Sequence, residues 1–230
     1  MRIIAIKTIK DFWERKNFRD SEQSLKAWFY EVKEDDWISP NDLKKKYRNA
    51  SIVGNDRVVF NIKGNKYRLI TAVNYKFKIV FIRFIGTHKE YDKIDVKRDR
   101  RRMPNMAFDD GPKKYMKIKL IKNNKDYKES LKRVEEIWNA EKNTKKGDEL
   151  EVLSVLIEKY EKEKFDILPP DPVEAIKFRM EQMRLDKKDL AKIIGANRAS
   201  EVLRNKRGLT LKMIRNLNVS LKIPTDSLIG

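Results

Sequence analysis

His88 is the only histidine among 230 residues, in the string Thr87-His88-Lys89-Glu90-Tyr91-Asp92 that follows the apolar run Ile79-Val80-Phe81-Ile82-Arg83-Phe84-Ile85. Histidine alone has an unperturbed pKa near neutrality, so His88, flanked by a lysine and a tyrosine at a strand end, is a candidate proton carrier. Arg68 and Arg83 interrupt two apolar runs; an arginine there must face water or a ligand, and its guanidinium donates paired hydrogen bonds to a phosphate. Together these types suit metal-free phosphodiester cleavage, which needs a 2′-hydroxyl deprotonated, charge on phosphorus stabilised and the leaving oxygen protonated. His88 is the proton-transfer candidate. Arg68 and Arg83 would hold the reacting phosphate, while Lys63, Lys66 and Lys89 would hold its neighbours. Tyr91 would donate a proton, stack on a base or orient the substrate. Two plainer readings remain open. Thr87-x-x-Glu90 is also a capping box, placing His88 and Lys89 in the first turn of a helix, and the arginines would equally suit the solvated face of a half-exposed sheet. A cap is compatible with the chemistry, because it fixes the turn that presents His88.

The formal charge of +19 predicts attraction to polyanions, with RNA, DNA and anionic membrane all open. Both halves contribute: 28 basic and 16 acidic residues lie before Met116, and 26 and 19 from there on. With no cysteine there is neither a disulfide framework nor a thiolate metal site, and one histidine makes a zinc site implausible. No metal or cofactor is expected. No apolar run approaches the ~20 residues of a membrane span, so the expectation is a cytoplasmic protein without a membrane partner.

The elements that would position these groups divide the chain. Residues 1–96 read as α+β: a short strand within 1–9, helices near 11–18, 21–36 and 40–48, then three strand-like runs separated by Gly64-Asn65 and Asn74-Tyr75 turns. The expected sheet is a small antiparallel meander behind N-terminal helices. Residues 97–115, with two prolines, a glycine and a basic run, read as a linker or tail. Met116-Lys-Ile-Lys-Leu-Ile then reads as a fresh start, as if two reading frames were joined. Residues 116–170 suggest a helical hairpin whose members begin at Asp126 and Asp148. Residues 171–230 suggest a compact all-α module opened by Pro172 at a first helical position.

Within that module, Asp189-Leu190-Ala191-x-x-x-Gly195 followed at once by another short helix has helix-turn-helix spacing. Val202 and Leu203 would bury the third helix, leaving Asn197, Arg198, Ser200, Glu201 and Arg204 outward, with Lys206 and Arg207 extending a basic surface. Such types read base edges and phosphates; a helical bundle with solvated charges is the alternative.

The stretch Pro172-Val-Glu-Ala-Ile-Lys-Phe-Arg-Met-Glu-Gln-Met, with Ala-Ser-Glu-Val-Leu-Arg-Asn-Lys-Arg and Ile-Pro-Thr-Asp-Ser-Leu-Ile, resembles the DNA-binding region of HigA-type antitoxins. Residues 116–170 are similar to the antitoxins' N-terminal region. Phe60-Asn61-Ile62-x-Gly-Asn65, Tyr67-Arg68 and the His88 string resemble HigB-type toxins of the RelE-like class. That resemblance implies a toxin domain at 1–96 that cuts mRNA, usually on the ribosome, with roles for Arg68 and Tyr91. It implies an antitoxin that neutralises it and represses their promoter by binding operator DNA, normally as a second chain. Residues 116–170 are then expected to pack on the toxin domain with part of their acidic content toward the basic sheet, and the helix-turn-helix module to form a homodimer. Two other classes stay in view: a transcriptional regulator with a catalytically inactive N-terminal half, and a general RNA-binding protein.

Overall fold

The computed structural model describes residues 1–54, 56–94 and 118–229; the expected linker at 97–115 and Met116 lie outside them. The first strand, β1 (Arg2–Ile4), is shorter than expected. Ala5 adopts φ 64°, which breaks the strand, and from there Ile9, Phe12 and Trp13 recur at helical spacing to bury one face of α1 (Lys7–Glu14). A 3₁₀ turn (Lys16–Ser21) leads into α2 (Glu22–Glu34), whose Leu25, Trp28 and Val32 are buried, and then α3 (Pro40–Lys46).

The strands β2 (Ser51–Ile52), β3 (Arg57–Ile62), β4 (Tyr67–Asn74) and β5 (Ile79–Thr87) form the meander. The sheet order is β1-β5-β4-β3-β2. It is mixed rather than wholly antiparallel, because β1 joins β5 in parallel with Ile4 opposite Phe81. From β1 the chain runs through three helices to the far edge strand β2 and returns along the meander, so that β5 arrives parallel to β1. Along β4 and β5, Arg68 faces Gly86 and Ile70 faces Phe84, but Thr71 faces Ile82. Arg83 is therefore the extra residue of a β-bulge, a feature that re-aims side chains.

The sheet is covered on both faces. On one, Trp28 meets Phe60 edge-on at 5.5 Å. The other carries Arg2, Ile4, Phe81, Ala72 and Arg68, because cross-strand partners share a face and alternate residues return to it. Over this second face lie α5 (Asn124–Glu136) and α6 (Lys145–Lys164). Trp138 packs on Phe81 at 5.8 Å, its carbonyl accepts from Asn74, and Arg2 pairs with Glu158 at 3.0 Å. Both helices start earlier than expected. Asn123, not Asp126, caps α5, with Asp126 returning a bond to the Lys122 N–H. Thr144, not Asp148, caps α6 through the Gly147 N–H. Gly147 thus lies inside the helix, where a Cβ would come within 2.2 Å of the Glu141 carbonyl oxygen.

The chain continues through α7 (Pro172–Met183), α8 (Lys187–Ile194), α9 (Ala196–Leu203), α10 (Leu211–Leu221) and α11 (Asp226–Ile229). Asp171 caps α7 with Pro172 in its first turn. Gly195, at φ 94°, is the single residue between α8 and α9. Ala199 and Val202 bury α9; Leu203 is only half-buried.

The hydrophobic core runs without a break from the sheet into α5–α11. One link is polar: Arg179 of α7 reaches across to Glu31 of α2 at 2.8 Å, each 1 % exposed. Arg179 also donates to the Lys46 carbonyl, and the Tyr47 hydroxyl donates to the same Glu31 carboxylate at 3.0 Å. Burial, with the Glu31 and Asp35 carboxylates close by, holds the Tyr47 hydroxyl well above the usual phenol range. No helix among the described residues is long and apolar enough to cross a membrane.

Candidate functional site

The end of β5 opens into a single helical turn, α4 (His88–Tyr91), and the Thr87–Glu90 capping box is complete. The Thr87 N–H donates to Glu90 Oε2 at 2.7 Å, and the Glu90 N–H to Thr87 Oγ1 at 3.3 Å. The box leaves His88 and Lys89 in the exposed first turn. A Cβ at Gly86 would lie 3.0 Å from Glu90 Oε2 and closer still to the Phe84 ring, so a side chain there would crowd both.

Arg68, opposite Gly86, reaches toward this turn. Its guanidinium lies 5.9 Å from the centre of the Tyr91 ring, an arrangement of the cation–π type. The His88 ring stands edge-on to Tyr91 at 6.4 Å, so Tyr91 neighbours both. Arg68 and His88 each have their own holder. Arg68 Nη1 donates to the Asn65 carbonyl at 3.1 Å and to the Asn65 side chain. His88 Nδ1 lies 2.9 Å from Asp92 Oδ2. Partial burial lowers the Arg68 guanidinium from its ordinary pKa, against the opposing effect of Tyr91 and Asp92, yet an arginine stays charged throughout the physiological range. Cation, phenol and imidazole thus meet at the rim of one sheet face, all at least partly open to solvent.

Residues 21–94 match the family model of HigB_toxin, the RelE-like toxic component of a toxin-antitoxin system. Over 73 residues the chain is 29% identical to the mRNA interferase HigB of Escherichia coli O6:H1, which spans 31% of this chain and 71% of that protein. The cluster of Arg68, His88 and Tyr91 lies wholly inside the HigB-like stretch, as do the three strands that position it.

Not every expected residue joins the cluster. Lys89 is exposed beside His88. Arg83 shares the sheet face of Arg68, but the bulge lays it over the Phe81 ring at 4.6 Å and into an ion pair with Glu135 of α5. That pair is nearly sealed, with side-chain exposures of 11% and 16%. Lys63 and Lys66 are elsewhere: both pair with Asp20, Lys66 at 2.6 Å, alongside the Tyr67 hydroxyl. Tyr67 points opposite to Arg68 because neighbours on a strand alternate. The three donors outweigh burial and hold the Asp20 carboxyl far below the usual carboxylate range.

Of the C-terminal candidates, Asn197, Arg198, Arg204, Lys206 and Arg207 are exposed on and just after α9. Ser200 and Glu201 are half-buried. Ser200 accepts from Lys187 at 3.0 Å, and Glu201 pairs with Arg207 at 3.2 Å.

Sequence reading missed Asn65, Asp92 and Glu135. The i,i+4 spacing of His88 and Asp92 was a usable signal once α4 was granted. Asn65 sits in a turn at φ 76°, a conformation asparagine tolerates well. Nothing local marks Glu135, whose partner is 52 residues away.

Proposed function

We propose that the chain is a toxin and its antitoxin in one polypeptide: an RNA-cleaving domain in 1–96, an antitoxin region in 116–170 that restrains it, and a helix-turn-helix DNA-binding domain in 171–230. The observation that carries this reading is the division of one sheet face. Arg68, Tyr91 and His88 meet at its open rim, while Arg83 on the same face is taken by an acidic residue of the second half.

In the proposed reaction, Arg68 and Lys89 hold the scissile phosphate. His88 takes the proton of the ribose 2′-hydroxyl, the 2′-oxygen bonds to phosphorus, and the bond from phosphorus to the 5′-oxygen breaks. A 2′,3′-cyclic phosphate and a 5′-hydroxyl result, the departing oxygen receiving its proton from Tyr91 or from protonated His88. Glu135, by neutralising Arg83, removes one cation that an RNA backbone would otherwise meet. The domain is an mRNA interferase that works on the ribosome, and α9 with Lys206 and Arg207 docks on operator DNA as a dimer to repress the promoter.

The test uses the full chain on RNA, with and without ribosomes, as wild type, Glu135→Ala, Arg68→Ala and His88→Ala. Glu135→Ala should raise cleavage. Arg68→Ala or His88→Ala, each combined with Glu135→Ala, should lower it by roughly 10²-fold or more. Undiminished cleavage in both combinations would sink the site. The buried Arg179–Glu31 pair favours a second reading, a regulator whose toxin-like half never acts free. Specific operator binding with no RNA cleavage by any variant would decide for it.

A further inference from the structure

The four-residue spacing of His88 and Asp92 brings a carboxylate to one ring nitrogen and leaves the other unassigned. Asp92 Oδ2 lies 2.9 Å from Nδ1, within hydrogen-bond range. An ionised carboxylate only accepts hydrogen bonds, so the partner nitrogen must carry a proton for this contact to form. In the neutral ring that places the proton on Nδ1 and the free lone pair on Nε2, a tautomer that isolated imidazoles do not favour. The turn is held independently of this contact, by the Thr87–Glu90 box.

Resting on the RNA-cleaving reading, we propose that Asp92 is a positioning residue. It locks His88 in the Nδ1–H tautomer and fixes the ring edge-on to Tyr91, so that Nε2 is the atom offered to the 2′-hydroxyl of an RNA phosphodiester held by Arg68. Asp92 touches no substrate atom in this arrangement. Its effect passes through the tautomer and orientation of the imidazole, as a carboxylate can direct a catalytic histidine in other enzymes.

The single histidine makes this directly measurable in the intact chain. Nitrogen-15-labelled histidine gives one imidazole pattern in a long-range proton–nitrogen NMR spectrum, recorded where the ring is neutral. The wild type should show the proton on Nδ1, Asp92→Ala should move it mainly to Nε2, and Asp92→Asn, whose amide oxygen still accepts, should keep it on Nδ1. A wild-type proton on Nε2, or a tautomer unchanged in Asp92→Ala, overturns the proposal. In the Glu135→Ala background with an RNA substrate, Asp92→Ala should lower kcat about tenfold at unchanged KM, less than the loss of the proton carrier itself. Asp92→Asn should restore most of it. A tautomer that switches while kcat stays constant overturns the positioning role. Absence of cleavage in every variant overturns the RNA-cleaving reading and the catalytic role with it, while the NMR result still decides the tautomer.

Discussion

Two buried or half-buried groups show how far a residue's meaning depends on its neighbours. Arg83 reads in sequence like Arg68, a cation within an apolar strand. The bulge and Glu135 turn it into half of an ion pair between β5 and α5, whereas Arg68 keeps its face toward the rim. Glu161 is the converse, an ordinary helix glutamate in sequence that is 1 % exposed in the fold. It accepts from the Ile6 N–H at 3.0 Å and from the Tyr127 hydroxyl. Burial dominates and pushes its carboxyl up to about 8, even though both hydrogen bonds pull it down. Between the ordinary value of 4.5 and about 8 the folded protein therefore holds a proton that the unfolded chain has released. Stability conferred by the neutral carboxyl is complete below the ordinary value and declines as pH rises through this window. Chemical denaturation of the full chain at pH 5 and at pH 8 should show that decline, and Glu161→Gln should flatten it. A Gln variant with the same loss would show that other groups carry it. Residue type, position at a strand or its end, and the family resemblance single out Arg68, His88 and Tyr91 as candidates, which the fold brings together. The sequence could not supply Asp20, Glu135 or Glu161, whose roles depend on partners distant in the chain.

Elements were more legible than their edges. Strands β3 to β5 are legible as short apolar runs bounded by turn residues, continuous because both sheet faces are covered, and the α2 face as an apolar period of 3.6. Helix starts were harder to place, since Asn123 and Thr144 compete with nearby aspartates for the same capping duty. The parallel partnership of β1 and β5 was invisible, because a three-residue strand carries no sign of its neighbour. The element with the most direct prediction is α9. Arg198 is exposed on it and Arg204 just after it, while Ser200 and Glu201 are tied to Lys187 and Arg207. If α9 enters a major groove, Arg198→Ala or Arg204→Ala should weaken binding to promoter DNA by about 1–3 kcal/mol each. Titration against the chain's own promoter and a scrambled duplex, at two salt concentrations, separates the roles. A base-reading arginine reduces the preference for promoter, and a phosphate-binding one lowers both affinities and the salt slope. No change in either would remove α9 from the interface.

At the scale of the molecule, the question is whether the two halves behave as a toxin with a detachable partner or as one folding unit. The continuous core and the α7 clamp favour one unit. Beyond the ion pair, Gln182 donates to the Asn61 carbonyl at 2.9 Å and Asn49 to the Glu181 carbonyl at 2.6 Å, so α7 closes over the edge of the HigB-like stretch. Removing one member of a buried ion pair strands the other charge, a cost of about 3–5 kcal/mol. For a chain of this size that corresponds to a fall of roughly 6–20 °C in Tm. Arg179→Ala should produce a drop of that order in a single cooperative melt followed by circular dichroism. Glu31→Gln in the same chain, which removes the stranded charge, should recover much of it. Two transitions, with one left at the wild-type temperature, would instead mean that the halves fold independently and that the clamp only joins them. The distinction bears on restraint. Under the proposed function, cleavage in one cooperative unit would be released by changing contacts such as Glu135 with Arg83 while the second half stays folded in place. Glu135→Ala should then activate the chain without lowering Tm as far as Arg179→Ala does.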